Sequence, residues 1–151
     1  MKNSQRALTA IAFHLPAPDK LGYTCRLIRK ATLKGAKLMV TGSEPLLRQL
    51  DHDLWTFSPT DFVAHCWDDA PQRQQQRSPV ILSPLLPGAA VGYAVLINLG
   101  PEMPAKFDTF ERVIEVVAQD DTDLKHARLR WKQYQAAGFE PAKFDLQAAS
   151  R

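Results

Sequence analysis

The chain has 151 residues, of which 45% are hydrophobic and 23% charged, and its formal net charge at pH 7 is +3. This balance predicts one soluble globular domain with a sizeable core, and it excludes a protein held to nucleic acid by a strongly basic tail. No stretch approaches the ~18 apolar residues of a membrane span, and the isolated Cys25 and Cys66 are typical of reduced thiols in a cytoplasmic protein.

The first third of the chain predicts alternating strands and helices. An uninterrupted apolar run predicts a strand buried on both faces, whereas apolar residues three or four apart predict one face of a helix. Four elements follow in this order: strand Leu8–Leu15, helix Leu21–Lys34, strand Lys37–Val40 and helix Ser43–Leu50. Such alternation predicts a parallel sheet with right-handed crossovers.

The segment Leu54–Trp67 concentrates large aromatic side chains around a Ser-Pro break. They are Trp55, Phe57, Phe62 and Trp67. Most aromatics in such a segment belong to the core, but four exceed what one loop usually buries, and exposed aromatics mark interfaces. Phe62–His65 is predicted to be a short strand, and the Gln- and Arg-rich stretch Ala70–Pro79 a polar loop.

The second half continues the alternation and ends with the longest predicted helix. The predicted elements are the strands Val80–Ser83, Tyr93–Leu99 and Val113–Val117, a single helical turn at Phe107–Arg112, and the helix Asp121–Ala137. Acidic residues suit the start of that last helix, and Gly138 suits its end. The remainder is predicted to be a tail. We expect a single domain over residues 1–151, with residues 1–7 and 145–151 flexible.

The sequence lacks the motifs of common catalytic chemistries. The turn after the first strand, HLPAPDKLG, carries prolines where a phosphate-binding loop needs glycine amides. The four histidines lack the spacing of metal ligands, and no nucleophile elbow is present. We therefore expect no catalytic residue, no metal and no cofactor. An enzyme with an unrecognised site on a doubly wound fold stays open as an alternative.

The last helix combines an apolar stripe with a row of cations. At 100° per residue, Leu124, Ala127, Trp131 and Tyr134 form the buried stripe, and Lys125, Arg128 and Lys132 lie along its flank. Charge rows of this kind are most often solvated helix faces. The alternative is a site for a peptide carboxylate, because an arginine can bind a carboxylate through two hydrogen bonds beside an apolar pocket.

The block Val113–Phe139 carries a more specific pattern, D-D-x-x-L followed by A-R-x-R-W-K-x-Y-x-x-A-G-F. With this block the chain resembles the chi subunit of the bacterial DNA polymerase III holoenzyme. Further agreement comes from Gly35-x-Lys37 before a strand, from Leu54-Trp55 at the end of the second helix, and from Phe62-Val63-x-His65. The resemblance covers nearly the whole chain.

The resemblance implies a non-enzymatic adaptor, an accessory subunit of a DNA-directed DNA polymerase complex. It implies an α/β, Rossmann-like three-layer sandwich with a mostly parallel sheet and no nucleotide-binding glycine loop. Chi-like proteins bind the acidic C-terminal tail of single-stranded DNA-binding protein, which ends in a Pro-Phe carboxylate. They link it to the clamp-loader complex through the psi subunit. The implied location is the cytoplasm, in the nucleoid-associated replisome, with DNA contacted only indirectly and no membrane.

The resemblance also assigns roles to individual residues. The implied tail site consists of Val117, Lys125, Arg128, Trp131 and Lys132, with Arg128 as the carboxylate-binding arginine. Trp131 stands where a tyrosine is common, which keeps an aromatic wall. Leu124 stands where a lysine can occur, so the neighbouring Lys125 is the candidate for the remaining cationic contact.

Two aromatic residues match the surface that binds the psi subunit in chi-like proteins. They are Trp55 and Phe62, and a helicase-like repair protein is a further possible partner of the same surface. The competing hypothesis is direct binding of single-stranded nucleic acid, in which Arg73, Arg77 and the basic helix contact phosphates and the aromatic segment stacks on bases. The small net charge and the scatter of the cations argue against it.

Overall fold

Parallel strands form one sheet with helices on both of its faces. The computed structural model describes residues 8–56, 63–84 and 93–149. The strands are β1 (Ala10–Ala17), β2 (Leu38–Thr41), β3 (His65–Trp67), β4 (Val80–Leu82), β5 (Val95–Asn98), β6 (Arg112–Ala118) and β7 (Ala142–Asp145). The helices are α1 (Lys20–Leu33), α2 (Glu44–Thr56), α3 (Gln72–Arg77), α4 (Asp121–Ala136) and α5 (Leu146–Ala149), and a 3₁₀ turn at Phe107–Thr109 precedes β6.

The strand order is β3-β4-β2-β5-β6-β1-β7, and every described pair is parallel. All residues of β4 and β5 are buried, as expected for strands covered on both faces. The α/β fold with a parallel sheet is therefore confirmed, and in the described part of the chain the sheet is parallel throughout.

Alternate residues of β6 enter two separate cores. Ile114 and Val116 point to the face covered by α1 and α2, whereas Val113 and Val117 point to the face covered by α4. Both cores are built mainly from buried aliphatic side chains of the central strands. The molecule is thus a three-layer sandwich, and α4 has one face of the sheet largely to itself.

The ends of α1 and α4 follow the signals in the sequence. Asp19 caps α1 by accepting a hydrogen bond from the Gly22 amide, and Asp120 caps α4 by accepting one from the Asp123 amide. Gly35 and Gly138 follow the two helices with φ of +88° and +95°, a conformation that a side chain would strain. The predicted bounds of these helices are correct to within one residue.

Two predicted element bounds need correction. Helix α2 continues past Leu50 to Thr56, because Leu54 extends the buried row of Leu47 and Leu50, and this end agrees with the position of Leu54-Trp55 that the resemblance implies. Within the predicted polar loop Ala70–Pro79, residues Gln72–Arg77 form α3, which has no buried residue to signal it. The Gln75 amide anchors this helix by donating hydrogen bonds to the carbonyls of Asp68 and Ala70.

The residues after Gly138 form structure instead of the predicted tail. Strand β7 pairs with β1, with Ala142 opposite Ala12 and Asp145 opposite Leu15, and α5 follows directly. All four residues of β7 are exposed, and their apolar–polar alternation extends over only four residues, which is too short to distinguish a strand from a tail. Of the predicted strand Phe62–His65, Phe62 lies outside the described residues, and the strand itself is His65–Trp67.

Within the described ranges, no helix is both long and apolar enough to cross a membrane.

Candidate functional site

Helix α4 is fixed at its start by hydrogen bonds to neighbouring elements. The Asp123 carboxylate accepts from the Ala118 amide at 2.7 Å and from Lys20 Nζ at 2.9 Å, and Lys20 also donates to the Leu99 carbonyl. Burial alone would raise the pKa of Asp123, but these donors outweigh it and lower the pKa below the ordinary value. The first turn of α4 is thereby tied to β6 and α1.

The buried side of α4 agrees with the predicted stripe only in part. Ala127 and Tyr134 are buried as predicted, while Leu124 and Trp131 are half-buried. Arg130, which had no predicted role, is only 1% exposed. It lies beside Tyr134 on the helix surface, but a buried guanidinium needs a partner on another element, and the linear sequence does not show one.

That partner is Glu115 of β6, which is fully buried. Arg130 Nε donates to Glu115 Oε1 at 2.8 Å, Tyr134 Oη donates to Oε2 at 2.6 Å, and Asn98 Nδ2 lies 3.0 Å from both oxygens. We call these four residues the Glu115 network. Burial raises the pKa of Glu115, and the guanidinium, hydroxyl and amide donors oppose that shift.

The Glu115 network sets the rotation of α4 about its own axis. Arg128 and Lys132 are each two residues from Arg130, so they lie about 200° round the helix from it. Because Arg130 points into the sheet, these two residues point away from it. Both of these side chains are exposed. The network therefore holds the cationic flank of α4 toward solvent.

A groove of about 560 Å³ runs between α4 and β1, and we call it the α4–β1 groove. Its lining is Phe13, Leu15, Pro16, Leu124, Ala127, Arg128, Trp131, Lys132, Gln135 and Lys143. The Trp131 ring packs against Phe13 with 5.2 Å between centroids, which fixes one wall of the groove. The floor and walls are mainly apolar, and cations stand at the rim.

The structure brings together three of the five residues predicted for the tail site. Arg128, Trp131 and Lys132 line the α4–β1 groove, whereas Val117 and Lys125 do not. Val117 is fully buried in the core on which Trp131 packs, so it supports the groove from beneath. Lys143, from the unpredicted strand β7, supplies a third cation.

The chemistry of the α4–β1 groove suits an anionic ligand that carries an aromatic or aliphatic group. Among the described residues, three cations and no carboxylate line it. The side chains of Arg128, Lys132 and Lys143 form no ion pair or hydrogen bond with this part of the chain. The cations are therefore available to a ligand, and the apolar walls can take a buried side chain.

The second predicted surface is described only in part. Trp55, in the last turn of α2, is 61% exposed, and its ring meets His65 with 5.5 Å between centroids. His65 Nε2 lies 2.7 Å from Asp51 Oδ1, and Trp67 Nε1 donates to the other oxygen of Asp51. Phe62 and Phe57 lie outside the described residues. Trp55 thus stands beside β3, at the sheet edge opposite β7.

No group of three or more potential metal ligands occurs among the described residues.

Sequence comparison finds one protein family over most of the chain. Residues 8–142 match the family described as "DNA polymerase III chi subunit, HolC". The chain is 29% identical over 116 residues to DNA polymerase III subunit chi of Haemophilus influenzae, which covers 76% of this chain and 79% of that protein. It is 28% identical over 137 residues to the protein of the same name from Pseudomonas aeruginosa, which covers 87% and 93%.

Solved structures with similar folds come from a different group of proteins. The C-terminal domain of the DEAD-box protein Dbp5 matches with a TM-score of 0.57 at 13% identity, covering 93% of this chain and 92% of that one. S. cerevisiae Dbp5 bound to RNA and ADP BeF3 matches with a TM-score of 0.63 at 10% identity, covering 91% and 41%. At such identities the similarity concerns the fold alone.

Proposed function

The chain belongs to the DNA polymerase III chi subunit family, and from this premise we propose that it is a non-catalytic adaptor of the replisome. It binds the acidic C-terminal tail of single-stranded DNA-binding protein and links that protein, through the psi subunit, to the clamp-loader complex. The observation that carries the proposal is the α4–β1 groove, whose apolar walls are rimmed by three cations.

The groove accounts for each chemical group of such a tail. Arg128 binds the terminal carboxylate, because a planar guanidinium can donate two parallel hydrogen bonds to it. The terminal phenylalanine packs against Trp131 and Phe13, which already contact each other. The acidic residues that precede it are attracted by Lys132 and by Lys143.

We assign the third cationic contact to Lys143. Leu124, which stands where a lysine can occur in chi-like proteins, adds an apolar side chain to the groove, and Lys125 does not line it. Lys143 enters from β7, on the opposite side of the groove from α4. The tail therefore lies between cations of two elements, which fixes its direction better than a single row on α4.

Trp55 is proposed as part of the interface with the psi subunit, together with Phe62. A large aromatic ring that is 61% exposed is typical of an interface anchor. A helicase-like repair protein is a further possible partner of this surface. The protein acts in the cytoplasm, at the nucleoid-associated replisome, and needs no cofactor for these roles.

The tail site is tested by titrating a short acidic peptide that ends in Pro-Phe. We expect micromolar binding, about −7 to −8 kcal/mol, and a loss of about 2 kcal/mol or more for Arg128→Ala because a charge-assisted pair is removed. The same peptide with a C-terminal amide should lose a similar amount. Arg73→Ala, at an exposed arginine of α3, is the matched control and should bind like the unchanged protein.

Equal binding of the amide and the free acid would contradict the proposed carboxylate site. An equal loss in Arg128→Ala and Arg73→Ala would show that only overall charge matters. The same titration is repeated with single-stranded DNA in place of the peptide. If it bound more tightly than the peptide, with a steep dependence on salt, direct nucleic-acid binding would replace the proposal.

A further inference from the structure

A second and larger groove lies on the opposite face of the sheet. Its volume is about 990 Å³, and it runs between α1 on one side and β7 with α5 on the other. Among the described residues, the short α5 is the one helix that packs on β1 at this end of the face, and α1 borders the groove on the β6 side. We call it the α1–β7 groove.

The α1–β7 groove has an apolar interior. Its base is formed by buried side chains of the sheet, Leu38, Val95, Ile97 and Ile114. Leu27 of α1 and Leu146 of α5 are half-buried along its walls, and Phe144 of β7 is 47% exposed. A large aromatic ring open to solvent beside an aliphatic floor offers surface that a partner can cover.

The groove also holds the positive charge of the molecule. Apart from Lys143, which pairs with Phe13 and therefore faces the α4–β1 groove, its lining includes four cations, Arg26, Lys30, Lys34 and Arg112, and one carboxylate, Asp19. Their balance of +3 equals the formal net charge of the whole chain, so the remaining residues together are close to neutral. His14 adds no charge near neutral pH, because burial and the charge of Arg112 lower its pKa to about 4.

Three of these cations form a row along α1 and its end. Arg26 and Lys30 lie on the helix four residues apart, which corresponds to a rise of about 6 Å, and Lys34 follows at the same spacing as the C-cap residue. Like charges at this spacing repel each other. Within the described ranges, none of the three forms an ion pair or hydrogen bond that would neutralise it. The row is complementary to acids repeated once per helical turn.

We propose that the α1–β7 groove docks an acidic amphipathic helix of a protein partner. Its apolar face packs on Phe144, Leu27 and Leu146, and its acids, one turn apart, meet the row on α1. A helix about 10 Å across covers two strands about 4.8 Å apart, which matches the poorly covered β1 and β7. A nucleic acid would use the cations but would leave the apolar interior unfilled.

This site is separate from the α4–β1 groove and does not rest on the proposed function. The two grooves lie on opposite faces of the sheet and share Pro16 and Lys143 at the boundary. Variants that distinguish them therefore use Arg26 and Lys30 for one groove and Arg128 for the other.

The test uses a fluorescent synthetic peptide of about 18 residues, long enough to form a helix alone, with leucines on one face and glutamates four residues apart beside them. We expect the full chain to bind it by fluorescence anisotropy. The double variant Arg26→Glu/Lys30→Glu should weaken binding at least tenfold. Ala142→Trp, which fills the groove without changing charge, should weaken it as well.

The matched control, Arg73→Glu/Arg77→Glu on α3, should bind normally, and circular dichroism verifies that each variant is folded.

Three results would overturn the proposal. One is equal binding of a peptide with lysine in place of glutamate. Another is that Arg128→Ala abolishes binding of the glutamate peptide while Arg26→Glu/Lys30→Glu does not. The peptide would then bind in the α4–β1 groove. The last is that Arg26→Glu/Lys30→Glu weakens binding of an oligothymidylate but not binding of the peptide. The surface would then bind nucleic acid.

Discussion

Two arginines of α4, two residues apart, have different environments and different expected roles. Arg130 is buried against Glu115, and Arg128 lies at the rim of the α4–β1 groove. Helical periodicity predicted that Arg128 lies on the flank, because only geometry along one helix is needed for that. It could not predict the burial of Arg130, since the compensating charge is on a strand fifteen residues earlier in the chain.

Lys143 and Lys125 provide a direct test of the assigned third cation. We expect Lys143→Ala to weaken binding of the acidic peptide about threefold, in the range of an exposed ion pair, because it lines the groove. Lys125→Ala removes the same charge from outside the groove and should change the affinity less. Isothermal titration of both variants at low and physiological salt measures the difference. A larger loss of affinity in Lys125→Ala than in Lys143→Ala would show that Lys125 of α4 makes the third cationic contact.

At the scale of elements, the sequence predicted best where apolar periodicity is strong. The central strands, α1 and α4 are correct to within a few residues, because buried residues repeat at intervals of two or three to four. β7 and α3 were missed because neither contains a buried residue and both are short, so the four-residue alternation of β7 gave too weak a signal. Main-chain pairing with the distant β1 holds β7, and hydrogen bonds from the Gln75 side chain hold α3, and neither contact produces a periodic apolar pattern in the sequence.

Breaking the Glu115 network that joins β6 to α4 should strongly destabilise this layer. Removing one partner of a buried ion pair leaves an uncompensated charge, so Glu115→Ala is expected to cost about 3 kcal/mol or more. Urea denaturation measures the free energy of unfolding. Arg128→Ala, an exposed change on the same helix, should shift it by less than about 0.5 kcal/mol.

A similar small effect for both variants would mean that Glu115 does not stabilise the packing of α4. Asn98→Ala provides an intermediate case. It removes one donor to Glu115 but leaves Arg130 and Tyr134 in place, and it should cost about 1 kcal/mol or somewhat more.

At the scale of the whole molecule, the strand order separates the two proposed binding surfaces. Trp55 lies beside β3, and β1 is five strand positions away, which corresponds to about 24 Å. The alternation of elements predicted a parallel sheet. The order of its strands could not be predicted from the sequence, because it depends on contacts between distant residues. The observed order leaves room for two partners at the same time.

We therefore expect that a single substitution can abolish binding of one partner without affecting binding of the other. Trp55→Ala should weaken binding of purified psi subunit by about 2 kcal/mol or more, as for an exposed aromatic anchor, and leave the acidic peptide unaffected. Arg128→Ala should do the reverse. Pull-down of the psi subunit and of single-stranded DNA-binding protein by each variant measures both. Loss of both partners in either variant would indicate one continuous interface.

The exposed position of β7 has a consequence for the behaviour of the protein at high concentration. It is the last strand in the order, and no described strand pairs with its outer side; such edges can pair with another copy and aggregate. Pro141 before the strand, its length of four residues, and the charges of Lys143 and Asp145 all discourage that pairing. Lys143 thus also protects solubility, and Lys143→Ala is best assayed at low concentration, with light scattering to detect self-association.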